Sequence, residues 1–240
     1  MEEISKINLK KLKEKKYPGR GIIIGLTPDK KNYVQIYWIM GRSKNSRNRI
    51  FVEENGYLKN EIYDEKLVKD TSLILYYSMK NFKDKHIISN GDQTETIFKY
   101  IKNGKNFEKA LGTRYFEPDG PNFTPRISGI LFNEKNEFTY KLSLIKSIDN
   151  NKNYCAKYFF NYESAIPGYG HFISTYIDDG NPLPSYNGEP KILPIFNNMT
   201  DNLKKYWDLL NKDNRISIAV KYINIENKSF SYKIINKNLM

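Results

Sequence analysis

Short runs of β-branched and aromatic residues, each closed by a turn signal, limit most strongly what this chain can fold into. After "YPGRGIIIG" (17–25) come "YVQIYWIM" (33–40), "IFVEE" (50–54), "TSLILYYSM" (71–79) and "KHIIS" (85–89). Further on stand "ISGILF" (127–132), "FTYKLSLIKS" (138–147), "YCAKYFFNY" (154–162), "HFISTYI" (171–177), "ISIAVKYINI" (216–225) and "SFSYKII" (229–235). Runs of this length and composition are strands. "NEKN" and the residues before 229 turn two pairs of them into hairpins. Helical spacing is confined to a few places. Asp92 followed by Glu95 predicts a capping-box start, with Ile97, Tyr100 and Ile101 as the buried stripe and Gly104 as the stop. A second helix is predicted over 106–111, and a third over 200–211 with Leu203, Trp207 and Leu210 on one face. Roughly ten strands and three helices predict one α+β domain of stacked antiparallel sheets. No repeat or low-complexity linker divides residues 17–240. Residues 1–16, which include "KKLKEKK" at 10–16, form a basic N-terminal extension, either an amphipathic helix or a frayed arm.

The formal net charge of +12 raises nucleic-acid binding as a function. The lysines are scattered through a chain rich in Lys, Asn and Ile, and no basic groove or tail is legible beyond 10–16. The charge therefore reads as compositional drift, and no nucleic-acid partner is expected. The single cysteine excludes an internal disulfide and suits a reducing cytoplasm. No apolar run reaches membrane-spanning length and the start lacks a signal-peptide pattern, so a cytoplasmic protein without a membrane partner is expected. Two histidines and one cysteine predict no zinc site, and no phosphate loop, dinucleotide fingerprint or nucleophile elbow is present. No metal and no cofactor is expected.

Arginine is scarce here: seven of 39 basic residues. Four of the seven, Arg20, Arg42, Arg47 and Arg49, fall within 30 positions, three of them in "GRSKNSRNR" (41–49). A guanidinium grips phosphate or carboxylate with a planar fork that lysine lacks. Gly41, Ser43, Asn45 and Ser46 add turn chemistry and small donors, so a loop that holds an anion is expected between two strands. Three other stretches carry chemistry. "YPGRG" lets backbone approach a ligand closely. "SNGDQTET" (89–96) places Asn90, Gly91 and Asp92 at a helix entry. "FEPDGPNFTPRISG" (116–129), expected to be an ordered loop, offers Glu117 and Asp119 ahead of Thr124 and Arg126. His171 in "GYGHFISTYIDDG" is one of two histidines and would ordinarily be structural.

"YPGRG", "GRSKNSRNR", "NGDQTET" and "TPRISGIL", in this order, resemble the IMP cyclohydrolase family, the archaeal-type enzyme of purine biosynthesis and its longer bacterial relatives. The motifs match over about residues 17–131, and "GHFISTYIDDGNPLPS" is similar to the bacterial branch to about residue 190. The resemblance implies a four-layer α/β/β/α sandwich similar to N-terminal-nucleophile hydrolases, without the processed nucleophile. It implies a cytoplasmic hydrolase that closes the purine ring of 5-formamidoimidazole-4-carboxamide ribotide (FAICAR) to give IMP and water. The partner is then a purine ribonucleotide, and a homo-oligomer is compatible with it. On this reading Arg20, Arg42, Ser43, Arg47, Asn48, Arg49, Asn90, Gly91, Thr124 and Arg126 bind substrate and its phosphate. Asp92 or Glu117 transfers a proton, and Asn90, Thr124, His171 or Tyr176 donates hydrogen bonds. The loop "KNSR" departs from the archaeal form, which leaves open a catalytically inactive or altered-specificity nucleotide-binding relative, and behind that a nucleic-acid binder.

Overall fold

The structure is a computed structural model that describes residues 1–67 and 75–240. Thirteen strands form two antiparallel sheets among these residues. The first sheet has six strands, in the order β11 (Lys191–Pro194), β10 (Tyr169–Ser174), β1 (Gly21–Leu26), β2 (Asn32–Met40), β12 (Arg215–Asn224), β13 (Phe230–Asn236). The second is a seven-stranded meander: β3 (Arg49–Glu54), β4 (Tyr57–Ile62), β5 (Tyr76–Phe82), β6 (Lys85–Ser89), β7 (Arg126–Phe132), β8 (Tyr140–Ile148), β9 (Asn151–Tyr162). The chain opens the first sheet, lays down all of the second, then returns to complete the first.

Central strands such as β1 and β7 are buried on both sides because both of their faces are covered. On β1, Ile22 and Ile24 enter a core shared with Ile88, Ile127, Leu131 and Leu142 of the second sheet. Ile23 points the other way, into a core with Leu12, Leu203, Tyr206 and Trp207 from α1 (Glu2–Glu14) and α5 (Met199–Leu209). On β7, Ile130 packs with Ile97, Ile101, Phe107 and Leu111 of α3 (Gln93–Lys102) and α4 (Phe107–Gly112). Continuous burial of both strand faces erases the polar alternation that marks a one-sided sheet. Gly129 marks the closest approach of the sheets: a Cβ there would sit 2.6 Å from Ile24 Cδ1. Two facing antiparallel sheets with few helices are compatible with the expected sandwich.

Several elements depart from expectation. The 41–49 segment contains a helical turn, α2 (Lys44–Arg47), closed by a reciprocal Ser43–Ser46 capping box. Strand β5 begins at Tyr76; the first residues of the strand expected over 71–79, 71–74, lie outside the described residues. Strands β4 and β11 were not expected. The capping box foreseen at 92–95 does not form. Asp92 makes no side-chain cap bond; its carboxylate is taken by the guanidinium groups of Arg114 and Arg126, while Glu95 pairs with Lys80 at 2.6 Å. Charge-assisted bonds to arginine outcompete a bond to a backbone amide. Residues 2–14 are helical, with Leu12 buried against the first sheet. Among the described residues, no helix is long and apolar enough to cross a membrane.

Candidate functional site

A cleft of about 370 Å³ opens where the entry to β1, the α2 segment, the 116–126 loop and the chain after β10 converge. Arg20, Arg42, Ser43, Arg49, Glu117, Thr124 and Tyr176 line it, together with Tyr17, Asp119 and Asn122. Backbone geometry brings these together. Gly19 takes a positive φ of 71°, and a Cβ there would meet Thr175 Oγ1 at 2.2 Å, so the chain can pass against 175–176 only as glycine. Arg20 N then donates to Thr175 Oγ1 at 3.1 Å.

The floor of the cleft is an ion pair. Arg20 Nη2 donates to Glu117 Oε2 at 3.0 Å, and its Nη1 donates to the Asn90 carbonyl at 3.1 Å. Both side chains are almost wholly buried, at 11% and 4% exposure. Burial pushes the Glu117 carboxyl above its ordinary range, against the pull of Arg20 and Arg126. Beside it, Asp119 accepts from Thr124 N at 2.7 Å and from the Thr124 hydroxyl, which also meets the Tyr176 hydroxyl. Burial holds the Tyr176 phenol well above its ordinary value, so it stays neutral. Tyr176 stacks on Tyr17, with ring centroids 6.0 Å apart.

The arginine-rich segment divides its labour. Arg42 donates to Asp179 at 2.6 Å and to the Gly180 carbonyl at 2.9 Å, with its guanidinium 5.1 Å from the centre of the Tyr17 ring. Arg49 is buried and donates to the Ser46 and Met40 carbonyls at 2.7 and 3.2 Å, which leaves further N–H groups for the cleft it lines. Arg47 instead braces the segment, bonded to the Gly41 carbonyl at 3.0 Å and Asn214 at 3.2 Å. Asn48 is also outside the lining: it exchanges bonds with the backbone of Asp64.

The other expected residues stand behind or apart from the cleft. Asn90 is fully buried and ties β7 to the helix entry, donating to the Pro125 carbonyl and accepting from Ile127 N at 2.9 Å each. Gly91 lies against Arg126 and Gln93, where a Cβ would come within 2.7 Å of Arg126 Nη1. Arg126 reaches Asp92, Gln93 and the Tyr115 carbonyl rather than the cleft. The two arginines hold Asp92 below the ordinary carboxylate range although its partial burial works the other way. His171 is distant: its Nδ1 meets the Tyr140 hydroxyl at 2.6 Å, its ring stacks on Tyr162 at 3.9 Å, and it lines a separate cavity with Phe160 and Glu189. Burial lowers its pKa to about 4.

Tyr17, Asn122 and Leu183 were not foreseen. Tyr17 stood inside a quoted motif and its aromatic ring was the available signal. Asn122 and Leu183 carry none locally, because they reach the cleft only through the Asn122–Leu183 N bond of 3.0 Å that joins two distant loops. A cleft with three guanidinium groups, small hydroxyls, the buried Glu117 carboxylate, the partly buried Asp119 and a tyrosine pair can hold an organic anion and exchange a proton with it. A family model described as IMP cyclohydrolase-like protein matches residues 17–228. No curated protein matches the chain.

Proposed function

The chain belongs to the IMP cyclohydrolase-like family, and from that premise we propose that it closes the purine ring of FAICAR to IMP in purine biosynthesis. The reading takes residues 17–240 as the enzyme domain, with a sandwich similar to N-terminal-nucleophile hydrolases, and residues 1–16 as an appended helix. The observation that carries it is the buried Arg20–Glu117 pair at the foot of a cleft rimmed by Arg42, Arg49 and Ser43.

Ring closure is intramolecular. The carboxamide nitrogen attacks the formyl carbon, a C–N bond forms, and the formyl oxygen departs as water after taking up protons. The main task of the protein is to hold the phosphate and turn the two amides into contact. Arg42 and Arg49, with Ser43 and Ser46, are the phosphate ligands of this proposal. The Tyr17–Tyr176 pair offers a flat face to the imidazole ring. Glu117, with its raised pKa, relays the proton lost by the attacking nitrogen, and Arg20 keeps it oriented. The neutral Tyr176 phenol donates to the oxygen that gathers negative charge. Asp92 is clamped by two arginines and keeps a structural part, as does His171.

Purified protein is expected to convert FAICAR to IMP, followed by ultraviolet absorbance. Absence of turnover by folded protein that still binds IMP would leave the second reading, a non-catalytic purine-nucleotide binder, which the departure in the α2 segment favours. Salt-steep affinity for DNA or RNA without mononucleotide binding would overturn both.

A further inference from the structure

Behind the wall of the cleft lies a second cavity, of about 260 Å³, between α1 and the β10–β11 edge of the first sheet. Lys11, Lys15 and Lys191 line it, with Asn8 and Asn187 as polar neighbours and Leu12, Phe172 and Tyr186 as an apolar floor. None of the three ammonium groups forms a salt bridge or a side-chain hydrogen bond among the described residues. Lys15 is half-buried, and burial lowers its pKa, with Lys191 adding to the effect against Asp178. Lysines near a helix C-terminus do favour the dipole, and that explains Lys11 and Lys15 in part. It does not explain Lys191, which arrives from a strand far away in sequence, nor the exposed Ile177 at the same cavity, 41% accessible.

We propose that this cavity is a second binding site, for a small phosphate monoester with a flat apolar body. Lysines from α1 and from β11 line one cavity, with Lys15 and Lys191 near enough to repel each other, and a phosphate bound there would relieve that repulsion. The floor of Leu12, Phe172 and Tyr186 together with Ile177 would be wasted on a bare ion and suits an aromatic or heterocyclic body. The site is distinct from the cleft but backs onto it. Asp178 accepts from Lys16 N at 2.8 Å and Tyr17 N at 3.1 Å, clipping the end of α1 to the strand exit. Tyr17 and Tyr176, on the two clipped segments, form the stacked wall of the cleft. The α1 side of the cavity lies outside residues 17–228, the part of the chain that the family shares.

The test is calorimetric titration of the whole protein with phenyl phosphate, with inorganic phosphate and phenol as separate probes. Phenyl phosphate is expected to bind more tightly than either. The double variant Lys15→Met, Lys191→Met should weaken it at least about tenfold, the scale of losing charged hydrogen bonds. Lys191→Arg should retain binding, and melting by circular dichroism should show both variants folded. Unchanged affinity in the folded double variant, which would place phenyl phosphate in the first cleft, or inorganic phosphate bound as tightly as phenyl phosphate would each overturn the proposal.

Discussion

At the scale of single residues, the site turns on which guanidinium and which carboxylate face the ligand. Arg42 lines the cleft and is held by Asp179, 38% and 41% exposed respectively, so its removal should not unfold the protein. Arg42→Ala is expected to weaken IMP binding at least about tenfold, measured by calorimetry, as a charge-assisted contact to phosphate is lost. Arg47→Ala should leave IMP affinity nearly unchanged and lower the melting temperature instead, because Arg47 only fastens the segment to Gly41 and Asn214. Glu117→Gln should reduce turnover about 10²- to 10⁴-fold with the fold retained, the usual range for losing a positioned proton carrier. As a base, Glu117 must be ionised, and its pKa is raised by burial. The kcat/KM profile should therefore fall on the acid side at a pH above the ordinary glutamate value, and Glu117→Gln should remove that limb. A limb left in place in the variant would move the proton transfer to another group. The scarcity of arginine in the sequence pointed to this segment. It could not separate Arg42 and Arg49 from Arg47, because that division depends on the helical turn that lies between them.

At the scale of elements, most strands were legible because both faces are apolar, so β-branched runs such as "IIIG" stand out without alternation. The strands that escaped notice lack that signal. Strand β4, "YLKNEI", buries only Leu58 and Asn60 and reads as polar. Strand β11 is four residues long, ends in Pro194 and sits among turn residues; its strand state comes from pairing with β10, Phe172 opposite Lys191. The helix entry at Asp92 was legible as a position and misread as a cap, since sequence does not show that Arg114 and Arg126 arrive there. The turn before β1 yields a test at this scale. Gly19→Ala places a Cβ both at positive φ and 2.2 Å from Thr175 Oγ1. It should cost about 1–3 kcal/mol of stability and weaken IMP binding by displacing Arg20. Gly104→Ala has a similar φ of 70° and open space around it. It should cost about 1–2 kcal/mol, the backbone term alone, and leave IMP affinity as it is. Urea unfolding of the two variants separates clash from strain.

At the scale of the whole molecule, the two sheets must seal a polar group that the hydrophobic patterning gave no reason to expect inside. Lys221 of β12 is fully buried between them, its Nζ 4.0 Å from the Phe230 ring centre and 5.0 Å from that of Tyr232, with no hydrogen-bond partner among the described residues. Gln35 Oε1 and His86 Nδ1 are also unpartnered, and His86 sits 5.7 Å from Phe230. Burial lowers the Lys221 pKa to about 7, opposed by Glu53, and burial with Lys221 lowers that of His86 to about 2. The sign follows from proton counts. Between pH 7 and the unfolded lysine value the unfolded chain holds a proton at Lys221 that the folded chain has released, so folding stability rises with pH across that window. Below pH 7 the penalty is present in full. From pH 7 to 9 the gain from Lys221 alone is about 2 kcal/mol, given an unfolded value near 10.4. His86 is neutral in the folded state and mostly neutral in the unfolded one over that range, and it adds only about 0.2 kcal/mol. Lys221→Met keeps the volume and the contact with Phe230 and Tyr232 while removing the charge. It is expected to be more stable than the parent by about 2–4 kcal/mol at pH 7, with the difference shrinking by pH 9. Urea unfolding at the two pH values measures this, the difference between parent and variant cancelling the other titrating groups. A variant no more stable at pH 7, or a difference that does not change with pH, would mean that Lys221 keeps its charge in the fold through a bound partner.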